Sequence, residues 1–139
     1  DLQGMKLGGG LEYSYGPEID AYLASGQLQM ERVPTTRQNF EKLLRQRVTL
    51  YPEEIHVGYA TLRRHFKAED VEKITHARKP LLNNLSYLML PRQLAGSQAL
   101  VERFNQRLQL YRDSGRYARY FDDLRAGKYD LPESAKTVN

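Results

Sequence analysis

The sequence predicts an α/β fold: a three-layer sandwich built on a mainly parallel sheet, with two helices closing the chain. Two observations carry that expectation. Across the first seventy or so residues, short β-prone runs alternate with stretches of helical period, and beyond Pro91 only helical period remains. Successive βα units of about thirty residues imply right-handed crossovers, which keep strands parallel and lay the helices over the sheet.

Taken in order, Met5 to Gly10 reads as a strand, and Ile19, Tyr22 and Leu23 fall on one face of the helix that follows, which Gly26 ends. Leu28 to Val33 is a second strand. Thr36 is the expected cap of a helix whose stripe is Phe40, Leu43 and Leu44. A third strand is expected over Val48 to Tyr51. Pro52 then marks the change to a helix, where Ile55, Tyr59, Leu62 and Phe66 are spaced by four, three and four. A strand is expected at Val71 to Ala77, a connector at Lys79 to Asn84, and a strongly apolar strand at Leu85 to Leu90, ending at Pro91. The first closing helix, Ser97 to Asp113, gathers Leu100, Val101, Phe104, Leu108 and Tyr111 on one side. Gly115 separates it from a second helix carrying Tyr117, Tyr120, Phe121 and Leu124. Lys128 to Asn139, with Pro132 and few apolar residues, is expected to be a flexible tail.

Composition narrows the function. A chain of 139 residues, 40% hydrophobic and 27% charged, has the make-up of a single domain with a real core, and its apolar runs are too short to cross a bilayer. It opens at Asp1 without an initiator Met, a basic segment or an apolar signal core, so an upstream segment is expected to have been removed. The absence of Cys excludes a disulfide framework and thiolate ligands. The net charge of +4 comes from Lys and Arg scattered among acids, at Arg45, Arg47, Arg63, Arg64, Arg112, Arg116 and Arg119 among others. Without a single basic face, no nucleic-acid partner is expected.

Motifs that would carry chemistry are few. Gly8-Gly9-Gly10 precedes a helix as a dinucleotide fingerprint would, but Tyr13 stands at the third glycine position. His56, His65 and His76 lie nine and eleven residues apart, which matches no compact metal motif. No serine or cysteine nucleophile motif is present, so no cofactor, metal or catalytic residue is expected.

Several phrases then occur in a familiar order. Asp1-Leu2-Gln3-Gly4-Met5-Lys6-Leu7-Gly8 resembles the "DLKGKKIGV" phrase that opens the second lobe in bacterial solute-binding protein family 3, the periplasmic amino-acid-binding receptors. Arg47-Val48-Thr49-Leu50 is similar to the family's "GRVDA" strand, and Leu85-Ser86-Tyr87-Leu88-Met89-Leu90 to the strand that returns through the hinge. Phe104-Asn105 and Asp113-Ser114-Gly115-Arg116-Tyr117 are similar to its closing "FN…L…DGTY" helices.

That resemblance implies a ligand-binding lobe with its hinge strand over residues 1–90, helices over 91–127 that return to a first lobe not contained in this sequence, and a tail over 128–139. It implies a periplasmic component of an ABC-type transporter that closes two lobes around an amino acid or similar small polar solute and delivers it to a membrane permease. A sensor domain of a signalling receptor and a dehydratase-like enzyme are alternatives on the same fold. The family's substrate-carboxylate turn matches Tyr13-Ser14-Tyr15-Gly16, which makes Tyr13, Ser14 and Tyr15 expected ligand contacts. Its acid for the substrate ammonium matches Glu54, with Glu53 beside it; Thr49 stands where the family usually has Asp.

Each assignment meets a structural alternative. Free N–H groups at a helix start favour an anion, but Pro17 removes one donor and Glu18 already supplies a carboxylate in the first turn. Acids after Pro52 stabilise a helix start in any protein. The aromatic stripe of the closing helices needs cover, so a homo-oligomer, with those helices exchanged between copies, is an expected arrangement.

Overall fold

The computed structural model describes residue 2 and residues 4–130. Two units divide the chain, the first running to Asn83 and taking in Asp130, the second spanning Asn84–Tyr129. The described residues form an α/β mix with a two-stranded parallel sheet.

In the first unit, β1 (Lys6–Gly10) pairs in parallel with β2 (Gln29–Val33), Lys6 opposite Gln29 and Gly10 opposite Val33. Helix α1 (Pro17–Ala24) makes the crossover, with proline in its first turn, where a missing N–H costs nothing. Helix α2 (Thr36–Leu44) follows β2. Its cap is Thr35 rather than the expected Thr36: the Thr35 hydroxyl accepts from the Gln38 amide, and Gln38 accepts in return from the Thr35 amide. The expected third strand, Val48 to Tyr51, is reduced to a parallel bridge between Leu7 and Leu50. Thr49 N donates to Lys6 O at 2.7 Å and Gly8 N to Leu50 O at 2.8 Å, so this stretch lies on the edge of β1 away from β2. Pro52 has no amide to extend the ladder, and α3 (Ile55–His65) begins soon after it.

Leu7, Ile19 and Leu28 form a buried cluster, with Leu23, Met30 and Leu50 packed against it. Phe40, Val48 and Leu62 are also buried, and the Phe40 ring meets Tyr51 and Phe66 edge-on at 5.4 and 6.3 Å. The triple glycine of β1 is explained by packing. A Cβ at Gly8 would lie 2.8 Å from Asn39 Oδ1, and one at Gly9 would lie 2.2 Å from Met30 Sδ. Asn39 uses the space at Gly8 to donate from Nδ2 to Gly9 O at 3.1 Å. The glycines admit a buried amide and a thioether against the strand rather than a nucleotide.

Two expected strands are absent. Val71 to Ala77 begins instead as the last residue of a short helix, α4 (Ala68–Val71), and continues as irregular chain. Glu69 and Asp70 suit a helix first turn, and Lys73 Nζ pairs with Asp70 at 2.7 Å. The Tyr59 hydroxyl meets His76 Nδ1 at 2.8 Å, which ties this loop to α3.

Leu85 to Leu90, in the second unit, is irregular and solvent-facing, with Leu85 78% and Met89 84% exposed. Its composition suits a strand, but a strand exists only where a neighbour completes its ladder, and here none does. Helices α5 (Ser97–Asp113) and α6 (Arg116–Arg125) complete this unit, turning at Gly115, whose φ is 73°. Tyr111 and Tyr117 meet edge-on across that turn, with Arg112 over Tyr117 and Arg116 over Tyr111. Of the expected tail, Lys128–Asp130 form a turn and bend, Lys128 pairing with Asp123, while 131–139 lie outside the described residues.

Candidate functional site

Parallel α/β sheets bind ligands beyond the C-terminal ends of their strands, at the point where the strand order reverses. Here β1 has β2 on one edge and the Thr49–Leu50 stretch on the other, so the reversal falls at β1. The segments leaving that point are Leu11–Gly16 and Tyr51–Glu54.

The first segment is braced by Arg32 of β2. Its Nη1 donates to Gly10 O at 2.7 Å and to Tyr13 O at 2.9 Å, and the guanidinium lies 5.8 Å from the centre of the Tyr15 ring. Gly10 N donates to the Tyr15 hydroxyl at 2.7 Å, which folds the segment back onto the end of β1. Tyr13 stacks on Tyr15 at 6.5 Å and is two-thirds exposed. Ser14 and the Tyr15 amide, the expected carboxylate donors, already hold a carboxylate of this chain: Ser14 Oγ donates to Asp20 Oδ2 at 2.5 Å and Tyr15 N to Asp20 Oδ1 at 3.1 Å. The Ser14 hydroxyl, and then the Tyr15 amide, hold the Asp20 carboxyl below its ordinary range.

The second segment contains Glu53. Its carboxylate accepts from the Tyr51 hydroxyl and from Thr36 Oγ1, the latter at 2.9 Å, while its other oxygen accepts from the Glu54 amide at 2.8 Å. Burial, and then this hydrogen bond, push the Tyr51 phenol far up, so it stays protonated and donates. The Tyr15 phenol is also raised, mainly by burial, with the Glu53 carboxylate raising it and Arg32 opposing. Glu53 therefore acts on both tyrosines, although they belong to different segments.

Glu54 is exposed and accepts from Val57 N at 2.8 Å, which makes it the cap of α3. Of the four expected contacts, Tyr13 and Tyr15 lie together, Ser14 is engaged by Asp20, and Glu54 is engaged by its own helix. Sequence reasoning passed over Arg32, Thr36, Tyr51 and the inward role of Glu53. Only Tyr51 had a readable signal, a polar aromatic at the end of a strand facing the reversal point.

Comparison of the chain with family models, curated proteins and solved structures finds no match. Glu53 offers charge for an ammonium, while Nη2 of Arg32 has no hydrogen-bond partner among the described residues and offers a donor to a carboxylate. Nearby, a cavity of about 410 Å³ is lined by Tyr15, Gly16, Ile19, Tyr22, Leu28 and Leu82, among others. Neither Ser14 nor Glu54 lines it. No group of three His, Cys, Asp or Glu among the described residues is placed to hold a metal, and none of their helices is long and apolar enough to cross a membrane.

Proposed function

We propose that this chain forms one lobe of a periplasmic solute-binding protein of an ABC-type transporter, of the family 3 kind it resembles. The lobe binds an amino acid or a similar small polar solute and hands it to a membrane permease. The carrying observation is the coincidence of Arg32, Tyr15, Tyr51 and Glu53 with the reversal of strand order at β1. Leu7 packs with Ile19 of α1, whereas the adjacent Gly8 abuts Asn39 of α2. Successive residues of one strand thus meet different helices, which supports a three-layer sandwich. Binding follows closure of a second lobe over this rim, driven by higher affinity for the closed state.

On the same reading, α5 and α6 return to that second lobe. Where it is absent they take cover from another copy of the chain, which sedimentation across a dilution series tests directly. The ligand test is a nuclear magnetic resonance titration with a panel of amino acids. Saturable shifts at Gly10–Gly16 and Tyr51–Glu54, reduced in Tyr15→Phe and Glu53→Gln, are the expected result. Binding is weak in one lobe alone, because the site stays wet. Shifts for no amino acid, or shifts confined to residues remote from this rim, overturn the proposal.

A further inference from the structure

The cavity along α1 shares Tyr15 and Gly16 with the rim, but Arg32, Tyr51 and Glu53 do not line it. Its floor is made by Ile19 and Leu28, both buried, and Leu28 N donates to Tyr22 O at 3.1 Å, which holds that floor against the end of the helix. Its walls include Tyr22, Leu81 and Leu82, each about half exposed. Leu82 reaches the helix start because Gly16 has no side chain: a Cβ there would lie 3.2 Å from Leu82 Cδ2. At about 410 Å³ the cavity is of a size that takes a small organic molecule, and its half-exposed walls leave it open to solvent.

Among the described residues, Glu18 is the one charged side chain that lines this cavity. It stands four residues before Tyr22 on α1, so the two share a helix face. Its carboxylate has no hydrogen-bond or ion-pair partner among the described residues, unlike that of Asp20, which Ser14 and the Tyr15 amide hold. An apolar concavity with one unpaired acid at its edge is complementary to a cation carried on an apolar body. It is a poor fit for a zwitterionic amino acid, which would bring its own carboxylate beside Glu18.

We infer that this cavity binds a primary amine carried on an aryl or alkyl group and lacking a carboxylate. The ammonium donates to the Glu18 carboxylate, and the apolar body lies on Ile19 and Leu28, between Tyr22 and the Leu81–Leu82 pair. The body supplies most of the affinity by taking apolar wall out of water, whereas the ion pair, open to solvent, supplies mainly selectivity. The site is distinct from the rim and holds whether or not an amino acid binds there.

The test uses the isotope-labelled full chain, titrated at neutral pH and constant ionic strength with phenethylamine, phenethyl alcohol, phenylalanine and methylamine. Saturable shifts of the Tyr22, Leu28 and Leu82 amides with phenethylamine are expected, with the alcohol and phenylalanine roughly three- to fivefold weaker and methylamine not saturating. Glu18→Gln should weaken the amine by the same factor and leave the alcohol unchanged, whereas Leu82→Ala should weaken both. Both side chains are exposed, so the variants should keep the fold, which circular dichroism checks. The inference is overturned by absence of saturation with phenethylamine, by equal binding of the alcohol or of phenylalanine, or by indifference to both variants. Shifts confined to Tyr51–Glu54 and abolished by Glu53→Gln also overturn it, because they place the amine on the rim. A rim that binds no amino acid leaves this site standing.

Discussion

The first unit packs a buried apolar core, whereas the apolar residues of the second lie open or only partly covered. Leu7 and Leu62 are each 1% exposed, while in the second unit Leu85, Tyr87, Met89 and Leu110 are all more than half exposed and Ser97 is the one buried residue among those described. Side-chain caps occur in the first unit, Thr35 on α2 and Glu54 on α3, although α1, like α5 and α6, begins at a glycine without a side-chain acceptor and α4 lacks one too. A stretch of chain is stable by itself when its apolar stripes face one another and its helix ends are closed. The second unit carries apolar stripes that stay largely exposed, with Tyr111 and Tyr117 meeting across its turn.

Deletion of core volume gives the largest expected effect. Leu7→Ala should cost about 2–5 kcal/mol in urea unfolding, because the cavity it leaves among Ile19 and Leu28 cannot fully collapse. Leu110→Ala, on an exposed face of α5, should change stability by no more than about 0.5 kcal/mol. Losses of equal size would erase the contrast between the units.

Glycine substitutions sharpen it. Gly9→Ala forces its new Cβ against the Met30 sulfur, and overpacking of this kind costs about 1–3 kcal/mol. If sterics are the cause, Met30→Ala in the same chain should recover part of that loss in a double-mutant cycle. At Gly115 a Cβ would meet nothing within 4 Å, so Gly115→Ala tests only the left-handed backbone, at about 1–2 kcal/mol. A Gly9→Ala chain as stable as the parent would show that Met30 does not pack there in solution.

Removing a cap is smaller again. Thr35→Ala should lose about 1 kcal/mol, through the reciprocal bonds with Gln38, and amide exchange should quicken in α2 first. Unchanged exchange at Gln38 would mean that the capping box is not what holds the start of α2.

How much of this was legible follows the same division. The period of Phe40, Leu43 and Leu44 and that of Ile55, Tyr59 and Leu62 marked two helices, because one face of each is buried and burial writes a pattern into sequence. The closing helices were equally legible, since period does not reveal whether a partner is present. Leu85 to Leu90 misled for that reason: apolar composition records a capacity to pair, and pairing depends on a neighbour that local sequence does not describe. At the candidate site, Glu54 and Glu53 are adjacent and chemically alike. Which one caps the helix and which turns inward to Tyr51 is settled by backbone direction after Pro52. Arg32 was hidden because its partners, Gly10 and Tyr13, lie about twenty residues earlier and contribute only carbonyl oxygens.

The smallest effect concerns the loop entering α1, where the first unit closes a potential anion site with its own carboxylate. Asp20 is held below its ordinary value chiefly by the Ser14 hydroxyl and then by the Tyr15 amide. A carboxyl with a depressed folded value adds stability that is complete above its ordinary value and is lost as pH falls through the folded one, so the loss lies on the acid side. Carboxyl-carbon titration should place the Asp20 midpoint below the ordinary 3.8, and Ser14→Ala should move it back up. The same lock predicts a gain of binding. With Asp20→Ala the Ser14 hydroxyl and Tyr15 amide are released, and acetate should then shift the Tyr15 amide saturably, whereas it should not in the parent chain. A midpoint indifferent to Ser14→Ala would mean that the hydroxyl does not hold Asp20 in solution. The loop would then be open to anions in the parent chain.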